Sequence, residues 1–199
     1  MSLIFNYSRI KDTVSRAGLP GQKAKVTPVD TITAYVTGET GKFENGMAVK
    51  VVTDSKGIAR VQPIAASDTA DKVAGFILQD VTGEWIVANP FGTSRFIHEY
   101  ANGKEVSVIS KGVIWVPVQD NGTIAHGQKV YIRTKADSTN GKPIGGVETV
   151  SISGENVAIN AYFTGQEGYP LASTNNGTTK DAGLTGRTAA IVVELPLLA

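Results

Sequence analysis

Short apolar segments with a two-residue period run through most of this sequence, and they limit the possible fold more than any other feature. From Thr31 onward, β-branched and aromatic residues alternate with polar ones, and Gly, Asn, Asp or Pro separate the segments. This period places alternate side chains on opposite faces of a strand, and the βαβ alternation of a parallel α/β sheet is missing. The spacing predicts an all-β protein, a β-barrel or β-sandwich of about ten short strands.

The predicted strands follow directly from these segments. They are TITAYVT (31–37), MAVKVVT (47–53), IARVQPI (58–64), KVAGFILQD (72–80), EVSVIS and GVIWVPV (105–118), QKVYIRT (128–134), VETVSIS and NVAINAYFT (147–164), and TAAIVVELPLL (188–198). Two further short strands, broken at Asn89-Pro90, are predicted within residues 84–100. Gly57 in the DSKG turn is expected to have a positive φ, and Gly75 is expected at a bulge or a close backbone approach. Hairpins are expected at Ser110–Gly112 and at Ser153–Asn156.

The first thirty residues differ from the rest of the chain. The segment SRIKDTVSRAG has helical spacing for two or three turns, and prolines then block a longer helix. Five basic residues and one acidic residue occur up to Lys25, which suggests an arm that lies on an acidic protein surface. We predict an N-terminal arm (1–30) and a β domain (31–199), with a loop-rich, exposed insertion at about 136–186.

Composition excludes several classes of protein. The chain has no cysteine, so disulfide frameworks, thiolate zinc sites and cysteine catalysis are excluded. Its formal net charge is only +1, which provides no field for concentrating nucleic acid or an anionic membrane. The N-terminal apolar run is too short for a signal peptide, and no window has the roughly 18 apolar residues of a membrane span. We predict no direct nucleic-acid partner and no membrane partner.

No constellation of catalytic or metal-binding residues is recognisable. His98 and His126 lie outside any zinc-binding spacing, DSTNG (137–141) resembles only half of a calcium loop, and no nucleophile elbow or phosphate loop occurs. We predict no catalytic residues, no cofactor, no metal and no enzymatic activity. Two alternatives remain open: a carbohydrate-binding or adhesive β module that uses Trp85, Trp115 and the loop around Tyr169, and a hydrolase or tail-fibre enzyme that uses scattered carboxylates.

Several segments, taken in order, resemble a known family. They are FENGMAVKVV, KVAGFILQD, GKEVSVISKGVIWVPV and IAHGQKVYIR, and the final TAAIVVEL is similar to the closing strand of that family. The third segment carries Val106, Val108 and Gly112 at the spacing of the family pattern. This combination resembles the head decoration, or structural cement, proteins of tailed bacteriophages. The arm and the segment 140–186 depart from the compact family pattern.

The resemblance implies a capsid decoration protein that binds the assembled phage head and stabilises contacts between subunits of the major capsid protein. It implies a virion protein on the outer capsid surface, assembled in the host cytoplasm, and a homo-oligomer in which a trimer is favoured. The arm is the candidate lattice-facing element. Its candidate capsid-contact residues are Phe5, Tyr7, Arg9, Ile10, Lys11, Val14 and Arg16.

Overall fold

The structure is a computed structural model that describes residues 21–25, 30–38, 45–79, 86–87, 96–97, 103–140, 142–168 and 187–196. The strands are β1 (Lys23–Lys25), β2 (Thr31–Thr37), β3 (Ala48–Thr53), β4 (Ala59–Pro63), β5 (Val73–Ile77), β6 (Ile86–Val87), β7 (Phe96–Ile97), β8 (Glu105–Val118), β9 (Lys129–Arg133), β10 (Val147–Glu148), β11 (Asn156–Glu167) and β12 (Arg187–Glu194). A 3-10 turn, Ala70–Lys72, is the only helical element in these ranges. The all-β prediction is confirmed.

Five strands close into a small barrel. β8 pairs with β2, β2 with β4, β4 with β3, β3 with β5, and β5 pairs again with β8. Closure gives each of these strands a partner on both sides over part of its length. The barrel alternative of the predicted fold is therefore confirmed.

A second set of pairings also starts and ends at β8. β8 pairs with β12, β12 with β11, β11 with β9, and β9 with β10. β10 then returns to β8 through a parallel pairing that places Val147 opposite Val118. β1 pairs with β8 as well, and β6 and β7 pair with each other in a separate two-stranded sheet of the described residues. β8 is thus the strand that the two halves of the fold share.

The predicted hairpin at Ser110–Gly112 is wrong, because β8 is one continuous strand of 14 residues. Its first half pairs with β2 and β5 and its second half with β12. Lys111, in the expected hinge, faces Thr31 on one side and Glu194 on the other, so this part of the strand is held in the ladder on both sides. Gly112 has a φ of +140°, a conformation that favours glycine and lets the strand bend without reversing.

One extra residue in β8 lets this strand serve two hydrophobic cores. Thr31 faces Lys111 and Ile32 faces Ile109, so Ser110 is a bulge residue that shifts the side-chain alternation by one position. The smaller core contains Val49, Val61, Ile77, Val106 and Val108. The larger core takes Ile109, Ile114, Val116 and Val118 from β8, together with residues of β3, β5, β9, β11 and β12. Valines of the first half therefore fill the barrel, and those of the second half fill the larger core.

The predicted hairpin at Ser153–Asn156 is also wrong. Only Val147 and Glu148 of VETVSIS form a strand, and they pair with β9 and β8 rather than with β11. The Asn156 side chain accepts a hydrogen bond from the Ile152 amide and donates one to the Val150 carbonyl. These local bonds compete with a ladder and hold the intervening residues in a loop.

The structure agrees with the predictions for two glycines and differs from the predicted strand lengths. Gly57 has a φ of +77°, as its turn requires, and a Cβ at Gly75 would lie 2.5 Å from the Ile109 carbonyl oxygen, as expected for a close backbone approach. β8 and β11 are longer than the short strands that we expected. Within the predicted arm, β1 lies in the sheet, and the predicted insertion contains β10 and β11. The Asn89-Pro90 break lies outside the described residues.

Candidate docking surface

The residues considered for catalysis or metal binding do not form a site in the described ranges. These ranges contain no group of three or more His, Asp or Glu side chains that could hold a metal ion. His126 lies exposed in a turn, where its Nδ1 is 3.1 Å from the Thr164 carbonyl oxygen. Asp137 accepts hydrogen bonds from the amide and the side chain of Asn140, which makes DSTNG a polar turn. His98 lies outside the described residues.

The aromatic residues considered for sugar binding are only partly described. Trp115 is half-buried and lies on the face of β8 opposite to Ile114 and Val116. Its backbone is paired with the start of the described chain, because its carbonyl accepts a hydrogen bond from the Gly21 amide. Trp85 and Tyr169 lie outside the described residues, so the carbohydrate alternative stays a hypothesis. In the described part of the chain, no helix has the length and apolar character needed to cross a membrane.

A buried ionic cluster joins β9, β10 and the start of β11. It consists of Arg133, Lys142, Glu148 and Glu155. Arg133 and Glu148 are 1% and 0% exposed, and their closest side-chain atoms, Arg133 Nη2 and Glu148 Oε1, are 2.8 Å apart. Asn156 donates to the second carboxylate oxygen of Glu148 at 2.7 Å. Because both charges are paired and hydrogen-bonded, the cluster can exist in the interior and fixes the register of three strands. Because the cluster lies in the interior and joins three strands, we assign it a structural role.

The β3–β4 hairpin offers apolar side chains to solvent. Val52 is 38% exposed and Ile58 is 44% exposed. In the hairpin register, Val51 faces the buried Val61, so the neighbouring Val52 points to the opposite, outer face of the barrel. We call Val52 and Ile58 the hairpin patch. Because both side chains lie on the outer face of one hairpin, we take them as a candidate docking surface.

Asp54 holds this hairpin in one conformation. Its carboxylate accepts hydrogen bonds from the amides of Lys56 and Ile58 and from Nε of Arg60. The Arg60 hydrogen bond first, and the Ile58 amide second, lower the pKa of Asp54 from 3.8 to about 2. Gly57 completes the turn with its positive φ. The hairpin patch is therefore presented on a preorganised turn, which reduces the entropy lost on binding.

Asp54 should titrate far below an ordinary aspartate. Because the folded pKa is lowered, the stabilising carboxylate contacts persist above pH 3.8 and are lost as the pH falls through about 2. We expect an NMR titration of the Asp54 carboxyl carbon to have its midpoint near that value, with the protected Ile58 amide beginning to exchange in the same range. In the D54A variant this amide should lack protection at every pH and exchange at the rate of an unstructured amide. A midpoint near 3.8 would contradict the assignment.

The predicted and the observed candidate residues do not coincide. All seven predicted capsid-contact residues, between Phe5 and Arg16, lie outside the described residues. The hairpin patch was not predicted from the sequence. The signal was present, because a turn centred on DSKG fixes the strand register, and this register places Val52 and Ile58 on the face opposite to Val61.

Comparisons with known proteins identify the family. Residues 8–191 match the phage family described as structural cement protein (E217 gp24/Pam3 gp6), a class of structural proteins rather than of enzymes. No curated protein matches the chain. Among solved structures, a chain of "The capsid of Myoviridae Phage XM1" is similar in fold, with a TM-score of 0.59 and 20% sequence identity. The similarity covers 92% of this chain and 93% of that one. Since the family match spans most of the sequence, the chain belongs to the phage structural cement protein family and is a structural protein of the bacteriophage virion.

Proposed function

We propose that this protein binds the assembled phage head from outside and stabilises the contacts between major capsid protein subunits. The observation that carries this proposal is the family match over residues 8–191. The fold likeness to a chain of a myophage capsid, over nearly the whole length of both chains, supports a role at the same kind of assembly. A protein that binds only the assembled lattice stabilises that lattice by mass action.

Two elements are candidates for the contact with the capsid. The first is the N-terminal arm, whose apolar side chains can anchor in a groove while its basic side chains meet an acidic surface. The second is the hairpin patch, whose two apolar side chains are preorganised by Asp54. The closed barrel, to which β3 and β4 belong, gives the hairpin patch a rigid base. Each bound copy of the protein adds a small interface energy where it touches several lattice subunits. This energy is repeated at every binding site around the shell.

Purified protein should raise the disruption temperature of heads that lack it. At a free concentration one hundred times Kd, binding stabilises the assembled state by about 2.7 kcal/mol per bound copy. The measurement is thermal disruption followed by light scattering or DNA release, over a series of protein concentrations. An unchanged disruption temperature at saturating protein would rule out the cement function.

Variants of the two elements show which of them carries the contact. We expect deletion of residues 1–18, or the double change V52K/I58K, to weaken head binding by about tenfold or more, because each removes apolar contact area. The matched control is V150K, since Val150 is 51% exposed and lies outside the hairpin patch. An element whose alteration leaves occupancy equal to that of the control does not contribute to the contact.

A further inference from the structure

The outer edge of β2 lacks a strand partner in the described part of the chain. β2 pairs with β8 from Thr31 to Val36, but it pairs with β4 only at Val36 and Thr37. On the side away from β8, residues 31–35 therefore present backbone groups that no described strand satisfies. The β4 strand begins only at Ala59, so the barrel opens beside this part of β2.

This edge has none of the features that usually protect a free strand. Its five residues, TITAY, contain no charge and no proline. The shift in pairing beside Ile32 adds its extra residue to β8, so the edge of β2 itself contains no bulge. Ile32 is 42% exposed and Ala34 is also exposed, so the edge carries apolar side chains as well as open backbone groups. Natural proteins blunt exposed edges with lysine, proline or bulges, because an unprotected edge recruits another strand. An edge without these features indicates a strand-pairing surface.

We propose that the outer edge of β2 pairs with the same edge of a second copy of this chain. The two strands would run antiparallel about a twofold axis at Thr33. Ile32 of each copy would then lie opposite Ala34 of the other copy, and Thr33 would lie opposite its own equivalent. The two barrels would share one continuous sheet across the axis. This inference goes beyond the proposed function, because it concerns the protein without the capsid.

The chemistry of the edge favours a second copy over an unrelated partner. In the twofold register a large side chain meets a small one, a threonine meets a threonine, and no like charges face each other. An isologous contact requires this kind of self-complementarity. Five paired residues bury less than the roughly 800 Å² per partner of a stable interface, so the pair should be weak in dilute solution and favoured where copies are close together. The arrangement has two copies, unlike the trimer that the sequence resemblance implies.

A single cysteine tests the register, since the natural chain has none. Antiparallel partners have Cα atoms about 4.5–5.5 Å apart, within the range that a disulfide can join. We expect T33C to form a disulfide-linked dimer on mild oxidation about tenfold faster than S55C, a matched control in the exposed turn of the β3–β4 hairpin. Equal rates for the two variants would overturn the proposal.

A second measurement does not depend on oxidation. Sedimentation of the wild-type protein at increasing concentration should show two-copy species, and I32K should remain monomeric, because Ile32 lies on the exposed face of β2 and a lysine on an edge strand disfavours pairing with another strand. A three-copy species, or a wild-type protein that stays monomeric at the highest concentration while I32K loses head binding, would overturn the proposal. In the second case, the occupant of the edge is a capsid subunit. Since only isolated protein is needed for the first result, failure of the cement function would leave it unaffected.

Discussion

R133M is expected to lower the free energy of unfolding by about 3–5 kcal/mol, because it leaves a buried carboxylate without its cation. Glu148 is fully buried and accepts two contacts from the Arg133 guanidinium, from Nε at 2.9 Å and from Nη2 at 2.8 Å. Lys142 is farther away, with Nζ 3.4 Å from Glu148 Oε1, so it cannot replace both contacts. The measurement is equilibrium unfolding in urea, and a loss of this size is a large share of the stability of an ordinary domain.

The double variant R133M/E148L separates the buried charge from the packing. Removing both partners leaves only the partly exposed Lys142 and Glu155 of the cluster, with side chains 19% and 35% exposed, so we expect the double variant to regain most of the stability that R133M loses. Glu155 is more exposed than Glu148 and can be hydrated when the guanidinium is absent. If R133M unfolds within about 1 kcal/mol of wild type, the pair contributes no more than an exposed ion pair and its structural role is wrong.

G75A is expected to lower the free energy of unfolding by about 3 kcal/mol or more, through steric overlap in a packed interior. A Cβ at this position would lie 2.5 Å from the carbonyl oxygen of Ile109 and 2.5 Å from Cγ1 of Val108. The carbonyl belongs to β8, whose pairing with β5 closes the barrel, so it cannot move without opening that closure. Urea unfolding measures the loss, and hydrogen exchange of the β5 amides locates it.

The control is G57A, in the turn of the β3–β4 hairpin. Apart from its chain neighbours, no atom lies within 4 Å of the place that a Cβ would take at Gly57, so the substitution introduces no overlap and only the positive φ disfavours alanine. That conformational cost is about 1–2 kcal/mol. A G75A variant no less stable than G57A would show that β5 and β8 can separate at this position without loss.

The sequence was sufficient to predict those features that short-range physics controls. The bounds of β2 agree with the alternating segment TITAYVT, and the DSKG turn has its glycine at a positive φ. Gly75 was expected at a close backbone approach, and it lies against Ile109. Each of these features depends on alternation or on the conformational freedom of glycine, which a few neighbouring residues determine.

Features that depend on distant partners could not be predicted in the same way. The turn residues Ser110–Gly112 look like a hairpin in isolation, and only the pairing with β2 and β12 keeps them in one strand. Arg133 follows a period-two pattern as an outward residue, yet Glu148 and Glu155 bury it. Such outcomes depend on which strands meet, and single-sequence patterns do not encode that choice.

The two proposed contact surfaces also differ in whether the sequence alone could predict them. The hairpin patch could have been predicted, because the turn fixes which residues face outward. The edge of β2 that no described strand pairs with could not, because it results from the point at which β4 begins to pair. The two surfaces lie on the same small barrel and would engage different partners under the proposals above.

Because β8 belongs to two hydrophobic cores, the two halves of the fold should unfold together. β8 cannot leave the barrel without also withdrawing Ile114, Val116 and Val118 from the larger core. Heat or pulling force should therefore disrupt both halves in one cooperative step, with no half-folded species. The two halves should therefore resist load together and unfold together.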